Sequence, residues 1–566
     1  MHVSSPRFAS SAVTIAGVFL AWVSCAAQTT AVTTPPLTMN EVVDRAVARE
    51  RALMHMLKTR TPLIETYLQD LRFDPEAGPV PIRDHYFLGR MDFGETMDRR
   101  DYLPRKGGFQ RILLGGFTRL YTIRYNPLGF SWMIFADVHD FNRETYQFKF
   151  AHREFLGDVR CFVFDVIPRK GMGTTRFHGR IWVEDQDYNI VRLNGIYEPQ
   201  PRNAYFFHMD SWRLNVVPGY WVPTYVYSEE GDSSDRSKSE LAFKAQTRLW
   251  GYDLRPHGKD SEFTEILVDP MDSMVKDHSP VAQDPSPLEA QRQWMQQAAD
   301  NVTERLQNAG LLAPEGELDK VLETVINNLM VTNSLDLQQP VHVRVMLTSP
   351  LETFSVGHTI VLSRGLVDVL PDEASLAAVL AHELAHIVLG HNQGSKFAFS
   401  DRLLFSDEST YQNLGFRHTP DEEADADKKA IDLLKNSPYE RNLVTAGLFL
   451  RQVAELGPVL AALCTPHLGD GFVDRKGRLT RMVAIMNSAP ALDQNRLDQI
   501  AALPLGGRVK INAWDDHAEL IKTKPAVITS GRGKLPLELT PFSPHLTRYG
   551  ATADATTASA AKTSNE

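Results

Sequence analysis

The spacing of apolar positions changes along the chain, and the changes mark out domains. Between 38 and 72 apolar residues recur at helical intervals, at Val42, Val43, Ala46 and Val47 and again at Leu53, Met54, Met56 and Leu57, which predicts a helix over 38–72. From about 85 to 268 the period shortens to two, in aromatic-rich runs such as FSWMIFADV, YQFKFAH, CFVFDVIP, GRIWVED, IVRLNGIY, WRLNVV, YWVPTYVY and LAFKAQTRLWGY. Gly, Pro, Asn and Asp separate them, so the region predicts an antiparallel sheet. Residues 269–287 are rich in Pro and Asp and predict a linker. Helical spacing then returns over 288–310 and 318–330. Strands follow at 341–347 and 359–363, the second hairpin-like after Gly357. LPDEASLAAVLAHELAHIVLGH predicts one long helix with Asp372 at its N-cap. Further helices are predicted over 421–436 and 440–461, and beyond 503 the chain reads as extended, with strand candidates RVKIN and AVITS. Residues 550–566 carry no apolar pattern and predict a disordered tail.

This pattern makes the chain α+β and multidomain: an N-terminal antiparallel β-sheet domain with a leading helix (38–268), a linker (269–287), a mainly α-helical domain with a small edge sheet (288–500) and an extended C-terminal segment (501–549). The first 27 residues differ from all of these. Arg7 precedes the apolar run Ala12–Val23, which is too short to span a bilayer, and the small residues SCAA follow it. That order predicts an export signal and a periplasmic or extracellular protein. An uncleaved anchor and a lipoprotein acylated at Cys25 are the alternatives, and Trp22 and Val23 fit the lipoprotein pattern poorly. The chain has 566 residues, 43% hydrophobic and 23% charged, which suits several folded domains. Its net charge of −10, without a basic cluster, argues against nucleic-acid binding. Three cysteines cannot supply a disulfide framework. Cys161 and Cys464 read as buried free thiols.

Chemistry concentrates in the long helix. His382-Glu383-Leu384-Ala385-His386 places two imidazoles on one face, one turn apart, a spacing that suits Zn²⁺. Glu383 sits beside such an ion as a general base toward its water. A third ligand histidine six residues beyond His386 is excluded, because Leu389 and Asn392 stand where that pattern needs Gly and His. His391 would lie about half a turn round a continuing helix and is read as a non-ligand. The candidate third ligand is Glu423. Asp427, four residues on, shares its helical face and can orient a ligating histidine. Ala426 and Ala430 allow close helix approach. The pair Asp421/Asp425 is the competing register of the same spacing, with Lys428 where a small residue is needed.

The segment TFSVGHTIVLSRGLVDVLPDEASLAAVLAHELAHIVLGH, followed by EADADKKA, resembles zinc metallopeptidases of the HtpX/BepA/CAAX-prenyl-protease (gluzincin) type. The resemblance covers roughly 288–490. It implies zinc ligation by His382, His386 and Glu423, Glu383 as base and Asp427 behind the ligands. It also implies a histidine near the metal or the oxyanion, matched here by His467 ahead of Arg478 and Arg481, although this chain has Pro466-His467 where the family has His-Pro. An edge strand that grips extended substrate corresponds to Glu352-Thr353-Phe354-Ser355. In texture, the sheet domain resembles the LolA/RseB half-barrel. The expected activity is endopeptidase cleavage of misfolded or unassembled envelope proteins, with envelope-membrane association open. The competing reading is an envelope chaperone or lipid/peptide-binding protein that works through the β domain and keeps proteolysis latent. No oligomeric state is implied.

Overall fold

The computed structural model describes residues 38–74, 78–94, 98–101, 130–172, 176–198, 207–230, 243–254, 287–337, 339–391, 411–412, 414–474, 476–491, 509–511, 518–520 and 537–550. The export signal with Cys25, the linker before Pro287, the AVITS strand candidate and the tail beyond 550 lie outside these residues.

Helix α1 (Met39–Leu57) starts with a capping box: Thr38 Oγ1 accepts from Glu41 N, and Glu41 Oε2 accepts from Thr38 N. It stops well short of the predicted 72. The Thr61-Pro62 step breaks helical geometry, and Leu63–Asp74 is strand β1. With β2 (Gly78–Asp92), β3 (Asp98–Asp101), β4 (Tyr146–Leu156), β5 (Val159–Pro168), β6 (Arg176–Glu184), β7 (Ile190–Glu198), β8 (Phe207–Val217), β9 (Tyr220–Glu230) and β10 (Phe243–Trp250) it forms a ten-stranded antiparallel sheet. The order is β3-β2-β1-β10-β9-β8-β7-β6-β5-β4, so the first and last strands pair in the middle. FSWMIFADV is not a strand. Trp132–Ile134 makes a short 3₁₀ turn, and Met133, Ile134 and Phe135 sink into the core beside the sheet.

One sheet face packs α1 through Val43, Val47, Leu53 and Leu57 against Ile64, Leu68 and neighbouring strands. Glu50 is carried under with them. Arg213 meets it through Nη1 and Nη2 at 2.6 and 2.8 Å, so the buried charge is paired. A second buried pair, Arg192–Asp210, lies across β7 and β8, with the guanidinium between the rings of Trp182 and Trp212, 4.4 Å from each.

The other face of β1 carries Leu63, Glu65, Tyr67 and Gln69, and these side chains join the sheet to the rest of the molecule. Glu65 accepts from Ser349 N (2.6 Å) and Tyr86 OH (2.7 Å) and also pairs with Arg248. Tyr67 OH donates to Asp84, whose two oxygens accept from Ala462 N and Leu463 N at 2.8 Å each. Gln69 bonds Leu537 O and Leu539 N, Lys244 pairs with Glu538 at 2.6 Å, and Leu546 is buried among Trp182, Trp212 and Trp221. The C-terminal stretch 537–550 therefore runs along the sheet rather than away from it.

The helical unit contains α2 (Pro287–Asn308), α3 (Glu317–Thr332), α4 (Arg364–Val369), α5 (Glu373–Leu389), α6 (Pro420–Lys435), α7 (Leu443–Leu456), α8 (Ala461–Cys464) and α9 (Val483–Ser488). The helix predicted over 440–461 is broken. A 3₁₀ turn at Glu440–Asn442 precedes α7, and Gly457-Pro458 ends it before α8. Strands β11 (His342–Met346), β12 (Thr353–Val356) and β13 (Thr359–Ser363) form a small sheet in the order β11-β13-β12, and Gly357 supplies the positive φ of the hairpin turn. The RVKIN segment contributes β14 (Val509–Ile511), paired with β15 (Ala518–Leu520). The architecture is α+β, as expected. Cys161 and Cys464 are buried and free. Among the described residues no helix is long and apolar enough to cross a membrane.

Candidate metal centre

Helix α5 is apolar nearly all round, which suits a helix enclosed on every side. Asp372 caps its start by accepting from Ser375 N and Oγ. Gly390, with φ +69°, ends it in the left-handed conformation that glycine adopts without penalty. Helix α6 begins with Pro420 behind the capping box of Thr419 and Glu422. Its buried Ala426 and Ala430 pack on α5, which aims Glu423 at the two histidines. Asp421 and Asp425 are exposed, and Asp425 pairs with Lys428.

Three donor groups converge. His382 Nε2 and His386 Nε2 are 3.2 Å apart, and Glu423 oxygens lie 3.1 Å from the first and 3.6 Å from the second. Glu423 is 7% exposed, yet neither of its oxygens accepts an aligned hydrogen bond. Such atoms are costly to bury without a partner. Two imidazoles and a carboxylate around one point are the donor set of a zinc site, and the unsatisfied oxygens fit a cation between them. Each histidine also has a neighbour behind it. His382 Nδ1 lies 3.0 Å from Asp427 Oδ1 without an aligned hydrogen bond, and that oxygen accepts from Met482 N. His386 Nδ1 is 2.9 Å from His391 Nδ1. His391 reaches that place because the helix stops at Gly390 and the chain folds back. Among the described residues His391 is not one of those that could hold a metal ion, and it stands behind His386 instead.

The two histidines differ electrostatically without a metal. Burial lowers His382, but the carboxylates of Asp427 and Glu423 outweigh it and push its pKa up to about 9. Burial, then the charges of His382, His418, Arg481 and His391, push His386 down. Glu383 is 1% exposed. Its Oε1 accepts from Arg481 Nη1 at 3.0 Å, while Oε2 accepts nothing. Arg481 is equally buried, with its guanidinium over the Phe472 ring. Arg478 instead pairs with Asp474 at the surface.

Among the described residues His467 is not one of those that could hold a metal ion, and its ring stacks on Tyr86 of β2 at 5.3 Å. The histidine beside the convergence is His418, which sequence spacing does not reveal. It precedes the α6 cap on an irregular segment, and its ring stacks on His386 at 3.7 Å. Asp470 Oδ2 holds it through the backbone N (2.8 Å) and Nδ1 (3.1 Å). Burial raises Asp470, but the His418 bonds hold its carboxyl below the usual range. His418, Glu423 and Asp470 line a cleft of about 600 Å³ that continues past Gly457, Pro466 and Val473.

β12 is the edge of its sheet, but Leu468 and Gly469 lie against it, donating to the fully buried Glu352 carboxylate. Burial pushes Glu352 up to about 7 against these bonds. The folded protein thus holds a proton that the unfolded chain releases near 4.5. Its stabilisation is complete below that value and is lost as pH rises through about 7. About 2–3 kcal/mol should disappear between pH 5 and pH 8. Denaturant midpoints of the parent and of Glu352→Gln at both pH values check this, and the variant should show a flatter profile.

Residues 314–407 match the family model described as peptidase family M48. The matched range holds His382, Glu383 and His386 and ends before Glu423, and it points to a metallopeptidase hydrolase. Among curated proteins none matches the chain. Solved structures similar to it include the following three. A LolA superfamily protein from Nitrosomonas europaea is 9% identical over 36% of this chain and 91% of its own, with a TM-score of 0.19. An outer membrane lipoprotein-sorting protein domain from Vibrio parahaemolyticus is 10% identical over 39% and 97%, with a TM-score of 0.21. A DUF1329 family protein from Desulfovibrio piger is 14% identical over 41% and 98%, with a TM-score of 0.21.

Proposed function

We propose that the chain is a zinc-dependent endopeptidase, exported to the cell envelope, that cleaves misfolded or unassembled proteins there. The observation that carries the reading is the convergence of His382, His386 and Glu423 in a buried pocket with unsatisfied carboxylate oxygens, one residue from Glu383. The export part rests on the apolar run 12–23 alone, and the substrate class on the family resemblance.

His382, His386 and Glu423 would hold the metal, which supplies Lewis acidity toward a peptide carbonyl and a water. Asp427 and His391 keep the two rings turned toward it. Glu383 divides its work between its oxygens. Oε1 is fixed by Arg481, and Oε2, which accepts no bond, is free to take a proton from the attacking water and pass it to the leaving amine. Glu423 opens onto a cleft of about 600 Å³.

Purified protein should cleave casein, lose cleavage on chelation and regain it with zinc. His386→Ala should lose both zinc and cleavage. Cleavage that survives full removal of metal would overturn the reading.

A further inference from the structure

We propose that His418, Glu423 and Asp470 form a second zinc site that shares Glu423 with the first. The inference rests on the reading of His382, His386 and Glu423 as that first site.

The three donors, His418 Nδ1, a Glu423 oxygen and Asp470 Oδ2, lie within 4.8 Å of one another. His418 Nδ1 is 3.1 Å from Asp470 Oδ2 and 3.7 Å from Glu423 Oε1. His418's side chain is 3% exposed, and Asp470's is 16% exposed. The independent sign of a ligand is Glu423 itself: it is 93% buried, and neither oxygen accepts an aligned hydrogen bond. Its oxygens also face different partners. Oε2 points to His382 Nε2 at 3.1 Å, whereas Oε1 stands between His386 Nε2 at 3.6 Å and His418 Nδ1 at 3.7 Å. One ion on the first site can use one oxygen and leave the other turned toward His418. A carboxylate split in this way is arranged to bridge two cations, as in paired-metal sites.

The donor set of one imidazole and two carboxylates suits zinc and the harder divalent ions less selectively than the first site does. The second site should therefore bind more weakly. It also has an entry path, because His418, Glu423 and Asp470 all line the 600 Å³ cleft. The stack of His418 on His386 fixes the ring, so little reorganisation is needed when an ion arrives. A plain His418–Asp470 pair explains that contact alone, but it leaves Glu423 Oε1 buried without a donor.

The test uses the full exported chain, stripped of metal and then titrated with zinc alone. Bound metal is counted by elemental analysis, and folding is checked by circular dichroism. The parent should take up about two zinc ions, the second at least about tenfold more weakly. Asp470→Asn should keep the tight ion and lose the weak one, and His418→Gln should do the same. His382→Ala should lose the tight ion. Titration with Co²⁺ gives a second readout: the parent's second equivalent should add visible absorption that Asp470→Asn lacks. A parent that saturates at one ion, or an Asp470→Asn protein that still binds two, overturns the proposal. Tight binding untouched by His382→Ala overturns the first-site reading instead, so the two failures are distinct.

Discussion

Glu383→Gln is expected to lower peptide hydrolysis by about 10²–10⁴-fold while zinc content stays at the parent level. The amide matches the carboxylate in shape, so the helix and both histidines keep their places. Its oxygen will face Arg481, which donates at 3.0 Å to Oε1 in the parent. The amide NH₂ then occupies the position of Oε2, the oxygen that accepts nothing and is open to a proton. A donor thus replaces the base at the one place where a base is needed. Casein hydrolysis and metal analysis on the same preparations decide the matter. Equal cleavage by the variant removes Glu383 from the chemistry. Loss of zinc with loss of cleavage makes it a support of the helix rather than a base.

Much of the fold could be read directly. Strands β4 to β10 show as β-branched and aromatic runs bounded by turn residues, although β7, β9 and β10 are buried on both faces, and α5 shows as a capped apolar run. The misreadings have physical causes. β1 is buried on both faces from Leu63 to Leu71, so its polar residues Glu65, Thr66 and Gln69 sit inside and erase the alternation. Each finds a partner far along the chain: Glu65 meets Ser349, Thr66 meets Thr247 and Gln69 meets Leu537. Distant pairing of this kind has no local signature. Asp84, which receives Ala462 N and Leu463 N, looks on its own like any strand acid.

The same division holds at the site. His382, His386, Glu423 and Asp427 were legible because helices repeat and all four sit on regular helical faces. His391, His418 and Asp470 were not, because each stands on irregular backbone outside any helix or strand. One glycine at 390, in the left-handed conformation, returns His391 to His386. His467 shows the reverse case: motif order points it to the metal, and the packing of β2 against its loop sets it beside Tyr86.

Replacing Arg481 with Met should cost about 3–5 kcal/mol of stability and abolish cleavage together, because the change strands the Glu383 carboxylate. Both members of the pair are 1% exposed. Arg481 makes one aligned hydrogen bond, to Glu383, and otherwise lies over Phe472 at 4.6 Å, with Nε and Nη2 unbonded. The charge is therefore present mainly to face Glu383. A merely structural pair and a catalytic one predict different double mutants. Met at 481 combined with Gln at 383 removes both charges, so stability should return to near the parent value, since a buried pair replaced by neutral groups is often neutral. Cleavage should not return, because the base is gone. Denaturant midpoints and casein hydrolysis for the parent, both single variants and the double variant complete the cycle. An Arg481→Met protein as stable as the parent would show that water reaches Glu383 and that the arginine does not hold it. Full recovery of cleavage in the double variant would remove both residues from the reaction.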